Sequence, residues 1–149
     1  MIDNEKLEAL RELTESFSET SNEEFDYYDR FIKTNSYILQ SCSRLVNEPT
    51  ADDKQEAELC YVLLLAMTNL VILNNFSLID KCIKRSLKIV DRLQSSLFKA
   101  RLYTYLFCLE GKAVYKEQAR AIINTWRGRS KTPEEQRLIR DYQLIIENR

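Results

Sequence analysis

The 149-residue sequence contains no histidine, and only two glycines and two prolines. Without histidine, neither a Ser-His-Asp nor a Cys-His catalytic pair can be assembled, and no His-ligated zinc or haem can be held. Gly111 and Gly128 stand far apart, so the chain has neither a phosphate-cradling P-loop nor a Gly-rich dinucleotide turn. The four cysteines, Cys42, Cys60, Cys82 and Cys108, are spaced by 18, 22 and 26 residues and form no C-x-x-C pair. That spacing argues against a zinc ribbon and is too sparse for a disulfide framework. Each cysteine has apolar neighbours and reads as a small buried hydrophobe in a reduced, cytoplasmic chain rather than as a nucleophile. The N-terminal stretch MIDNEKLEALRE is acidic and lacks the apolar core of a signal peptide. The most apolar run, Leu59 to Leu73, spans 15 residues and is broken by Thr68 and Asn69. A bilayer needs about 20, so this run reads as a buried core helix. The expectation is therefore a chain with no catalytic residues, metal, cofactor, membrane partner or small-molecule substrate.

What is present suits one all-α domain over residues 1–149. Hydrophobic residues make up 44% of the chain and charged ones 30%, a globular rather than a disordered balance. The shortage of glycine and proline leaves little material for hairpin turns, and the apolar spacing is helical almost throughout. Leu7, Leu10, Leu13 and Phe17 share one face of a first helix over about 3–18. A second helix starts with the capping-box spacing of Ser21 and Glu24, carries Phe25, Tyr28, Ile32, Leu39 and Val46, and ends before Pro49. Thr50 and Asp53 open a third helix that becomes apolar on every side after Leu59, the pattern of a helix at the middle of a core. Asn74 and Asn75 end it. Ser77 and Asp80 can cap a fourth helix, with Ile79, Cys82, Ile83, Leu87, Val90 and Leu93 inward.

After a break at Ser95 and Ser96, an aromatic-rich fifth helix stops at Gly111. The sixth, about 113–127, turns Val114, Ala119, Ile122 and Trp126 inward, with Gly128 as its C-terminal cap. Thr132, Pro133 and Glu135 combine a capping box with proline at the first helical position, opening a seventh helix through Leu138, Ile139, Tyr142, Ile145 and Ile146. About seven helices with short connections make a compact bundle of antiparallel pairs. No repeat at a fixed period supports a regular solenoid, although helix pairs that merely look solenoid-like stay open.

The formal net charge of −1 conceals an uneven distribution. Residues 1–58 hold 15 acidic and 6 basic side chains, a net of −9, and residues 59–149 hold 8 acidic and 16 basic, a net of +8. On the fourth helix Lys81, Lys84, Arg85, Lys88 and Arg92 fall on one face, opposite the apolar positions, at about 100° per residue. Lys116, Arg120 and Arg127 form a second stripe on the sixth helix, and Arg129 and Lys131 extend it. A single such stripe is often no more than a solvated face. Two of one sign point to a docking surface, for an acidic protein or for nucleic acid. A rival reading has the acidic first two helices, from Glu5, Glu8 and Glu12 to Glu23, Glu24 and Asp26, folding over the basic face and neutralising it. Tyr103, Tyr105 and Phe107 alternate beside Lys99 and Arg101, which admits base stacking, but core packing accounts for them better. The paired carboxylates Asp52–Asp53 and Glu134–Glu135 lie at helix starts, where the helix dipole favours them.

One stretch carries a family resemblance. Thr50 with Glu56-Ala57-x-Leu59-Cys60, Leu63-Leu64, Ser96-Leu97-x-Lys99, Thr104-Tyr105, Ala121-Ile122-Ile123 with Trp126, Gly128-Arg129 and Thr132-Pro133-Glu134-Glu135-Gln136 together resemble the UpxZ family of transcription antitermination antagonists. The likeness covers about residues 50–147, while residues 1–48 match only in helical character and polarity. It implies a regulator encoded in a bacterial capsular-polysaccharide locus. Such a regulator blocks the NusG-like (UpxY-type) antitermination factors of other loci by direct binding. No family site residues carry over, so the candidate partner-binding residues are those of the basic face: Lys81, Lys84, Lys88, Arg92, Arg127 and Arg129. A small helical RNA- or DNA-binding regulator using residues 81–131 is the alternative.

Overall fold

A computed structural model describes residues 2–19, 27–70, 75–126, 128–129 and 131–147. All regular structure among them is helical: α1 (Asn4–Glu19), α2 (Tyr27–Leu45), α3 (Asp53–Asn69), α4 (Phe76–Val90), α5 (Leu97–Glu110), α6 (Ala113–Thr125), α7 (Pro133–Tyr142) and a π-helical turn (Gln143–Glu147). The capping box expected at Ser21 and Glu24 lies outside the described residues. The caps of α5 and α7 stand where the sequence places them, whereas α3 ends at Asn69 with Leu70 as its C-cap, ahead of Asn74 and Asn75, and the C-cap of α6 is Trp126 rather than Gly128. Ser96 caps α5 by accepting from the Lys99 N–H, and Gly111 ends that helix in the left-handed region at φ 70°. At α7, Thr132 and Glu135 exchange both bonds of the capping box, with Pro133 in the first turn. The cap of α3 is Asp52 rather than Thr50, and that of α4 is Asn75, whose Oδ1 accepts from the Leu78 N–H at 3.3 Å.

The chain divides into two compact units, residues 1–87 and 88–149. In the first, α3 is the core element. Leu59 through Met67 are all buried, and both α1 and α2 pack against it. Leu7, Leu10 and Thr14 of α1 and Ile38, Cys42 and Val46 of α2 are the inward positions. Phe17 and Phe31 stack at 4.9 Å between ring centroids, joining α1 to α2. Gln55 ties the start of α1 to α3, its Nε2 donating to the Ile2 carbonyl at 3.0 Å and to Asn4 Oδ1 at 2.7 Å. Ile32, expected on the inward face of α2, is 45% exposed. The inward arc of α2 is centred on Ile38 and Cys42, and Ile32 falls outside it.

The second unit is built on α5, which packs against α6, α7 and the π-helical turn. The two residues between α5 and α6 force these helices into an antiparallel hairpin. Tyr103 and Tyr105 are buried and Phe107 is half-buried, so the alternating aromatics are core residues. Each tyrosine hydroxyl is satisfied: Tyr103 donates to Asp91 Oδ1 at 2.7 Å and Tyr105 to Asp141 Oδ2 at 3.2 Å. Arg101 is buried with them and pairs with Asp141 at 3.0 Å. Two expectations for α6 need correction. Val114, in its first turn, faces outward at 52% exposure, because Tyr115 and Ala119 take the inward positions instead. Trp126 is half-buried rather than core, with the Arg129 guanidinium 5.2 Å from its ring centroid.

Candidate docking surface

The lysines of α4 owe their exposure to helix geometry. Leu78, Cys82, Ile83, Ser86, Ile89 and Val90 are buried and take one side of the helix. At about 100° per residue, Lys81, Lys84 and Lys88 then fall within about 60° of one another on the other side. All three are exposed. Lys84 pairs with Asp80 at 2.9 Å, which raises the lysine pKa. Among the described residues Lys81 and Lys88 make no ion pair. Arg92 is exposed in the turn after the helix, where its N–H donates to the Ile89 carbonyl. Arg129 is exposed in the loop after α6, against Trp126; Arg127 lies outside the described residues. Lys81 and Lys84 belong to the first unit, and Lys88, Arg92 and Arg129 to the second.

Arg85 falls on this stripe in the sequence, and the structure removes it. It sits at the edge of the lysine arc, and its long side chain turns inward. Nε and Nη2 donate to the two oxygens of Glu56 on α3, each at 2.7 Å. Nη1 reaches the Leu45 and Val46 carbonyls at the end of α2, at 3.2 and 2.9 Å. Glu56 also accepts from the Thr50 hydroxyl at 2.6 Å. The Arg85 hydrogen bonds are the main reason the Glu56 pKa falls to about 2. One guanidinium thus joins three helices and closes the carbonyl end of α2.

The acidic helix does not cover the lysines of its own unit. Glu5, Glu8 and Glu12 lie exposed along α1. Among the described residues they pair with neither Lys81 nor Lys84. Glu23, Glu24 and Asp26 lie outside the described residues. Sequence reasoning missed Phe76, which is 76% exposed at the first position of α4. The signal was available in the spacing: Phe76, Asp80, Lys84 and Lys88 form one i, i+4 ridge.

Burial raises the thiol pKa of Cys42, Cys60 and Cys82 to about 12 in each case, so these three thiols stay protonated at neutral pH. Cys108 is only half-buried. Native-state maleimide labelling is therefore expected to modify Cys108 first and the other three only on unfolding. Equal rates at all four would contradict the burial. Among the described residues no group of acidic or cysteine side chains is placed to hold a metal ion, and no helix is long and apolar enough to cross a membrane.

Comparison with known proteins bears on this geometry. No curated protein matches the chain. The crystal structure of a transcription anti-terminator antagonist UpxZ from Bacteroides uniformis ATCC 8492 superposes with a TM-score of 0.75. The superposition covers 95% of this chain and 92% of that one, at 24% identity, and so establishes a shared fold. A family model described as the UpxZ family of transcription anti-terminator antagonists matches residues 7–108. That match starts within α1, well before the motifs read from residue 50 onward, and ends in α5. It spans more than half of the sequence, and on that ground the chain belongs to the UpxZ family of transcription anti-terminator antagonists.

Proposed function

We propose that the chain is a cytoplasmic regulator that binds a NusG-like antitermination factor directly, and that this binding withholds the factor from productive engagement with RNA polymerase or the nascent leader RNA. In this reading the factors antagonised are those of other capsular-polysaccharide loci, so that one locus tends to be expressed at a time. The binding residues are Lys81, Lys84, Lys88, Arg92, Arg127 and Arg129.

The observation that supports this assignment is the lysine ridge of α4, exposed and only partly compensated by Asp80. Exposed charges of one sign steer encounter with an oppositely charged surface and discriminate among related partners by repulsion as much as attraction. The test is co-purification with antitermination factors from several capsule loci, for the wild type and for a Lys84→Glu/Lys88→Glu/Arg92→Glu variant. The wild type is expected to retain at least one factor, and the variant to lose it at low salt. Retention of no factor by a folded wild type would defeat the reading. Unchanged retention by the variant would move the binding face to the acidic helices. Loss of RNA binding alone, with factor binding intact, would favour a nucleic-acid regulator.

A further inference from the structure

The exposed edge of α4 in the first unit sets an apolar ring beside charged side chains. Phe76 is 76% exposed, and it adjoins a ridge in which Asp80, Lys81 and Lys84 are also exposed. Phe76, Asp80 and Lys84 follow one another at i, i+4 and i+8, so a phenyl ring, a carboxylate and an ammonium lie in line over about 12 Å of helix. The helix start that carries Phe76 is fixed by Asn75, which caps the Leu78 N–H through its side chain and accepts from the Ile79 N–H through its carbonyl. The cap fixes the backbone from which the ring projects, so that part of the freedom is already spent when a partner covers it.

From this arrangement we infer that the ridge docks an acidic segment of a protein partner, with Phe76 as the apolar anchor and Lys81 and Lys84 as the charged flank. The inference rests on the reading that the chain acts by binding an antitermination factor, and it names the chemistry of the contact on that factor. The segment carries an apolar side chain that covers the phenyl ring and carboxylates that reach the two lysines. A nucleic acid fits less well. Asp80 stands between the ring and Lys84 and takes that lysine at 2.9 Å, so a phosphate backbone following the ridge would meet a carboxylate. A protein segment can offer Asp80 a donor and the lysines an acceptor within one turn. Aromatic side chains, phenylalanine among them, are enriched at protein interfaces, within a polar rim.

The test is an equilibrium titration of purified NusG-like antitermination factors, at low and moderate salt, with the wild type, Phe76→Ser, and Lys81→Glu/Lys84→Glu. These side chains are exposed, so all variants are expected to keep the wild-type thermal midpoint, which serves as the folding control. Phe76→Ser is expected to weaken binding about tenfold at both salt concentrations, because an apolar contact is not screened. The lysine reversal is expected to weaken it more at low salt than at moderate salt. A loss smaller than about threefold for Phe76→Ser, with the wild type bound, would overturn the anchor and leave the proposed function standing. A leader RNA that displaces the factor and depends on the lysines but not on Phe76 would make the ridge a phosphate site and overturn the inference. Failure of the wild type to bind any factor would remove the reading beneath it, and the inference with it.

Discussion

Replacing Arg85 with alanine is expected to cost about 3 to 5 kcal/mol of stability, among the largest effects of any single substitution in this chain. The side chains of Arg85 and Glu56 are 16% and 15% exposed, so truncating the arginine strands a carboxylate in a mostly dry site. It also takes the guanidinium donor from the carbonyls at the end of α2, leaving Leu45 with only the Glu48 N–H and Val46 without its Arg85 bond. Urea denaturation followed by circular dichroism measures the loss, and a cost below about 1 kcal/mol would show that the pair behaves like an exposed one. The double variant Arg85→Met/Glu56→Leu is expected to recover much of the stability, since replacing both charges with apolar groups leaves neither ion unpaired.

The same pair sets an acid limit. The folded pKa of Glu56, about 2, lies below its ordinary 4.5. Its contribution is therefore complete above about pH 4.5 and is lost as the pH falls toward 2. Discounted for the solvent that still reaches the carboxylate, it amounts to about 2 kcal/mol. The difference in stability between the wild type and Glu56→Gln is expected to shrink across that window. A difference that stays constant from pH 6 to pH 3 would contradict the depressed pKa.

A second large effect is expected in α3. Leu63 is fully buried and lies in the helix that is covered on all sides. Neighbours held from every direction cannot collapse into the space a shortened side chain leaves, so Leu63→Ala is expected to cost about 3 kcal/mol or more. Leu144→Ala is the internal comparison: at 66% exposure on the π-helical turn, it is expected to change stability by less than about 0.5 kcal/mol. Similar losses at the two positions would contradict the assignment of α3 as the core element.

Much of this architecture was legible in the sequence because the signals were local. The all-round apolar pattern after Leu59 marked the core helix, and Thr132, Pro133 and Glu135 marked the start of α7, since a capping box is written within four residues. The misplacements share another cause. Arg85 reads as a surface cation on a helical wheel, because the partner that draws it inward, Glu56, is 29 residues away. Thr50 looks like a cap, yet its hydroxyl is taken by the same Glu56. Val114 and Ile32 are apolar and read as inward, but hydrophobicity permits burial without requiring it. For the candidate docking surface, charge pattern located the lysines of α4. Charge pattern does not reach Phe76, which carries no charge and stands at the first position of α4, ahead of the lysines.

On the proposed reading, the chain acts on the antitermination factor rather than on polymerase or RNA. In-vitro transcription through a capsule-locus leader tests it most directly, using purified RNA polymerase with and without the NusG-like factor while the chain is titrated in. Factor-dependent readthrough is expected to fall to its basal level as the chain approaches the concentration of the factor, with no change where the factor is omitted. Readthrough lowered equally in the absence of the factor, or unaffected by a chain shown to be folded, would contradict it.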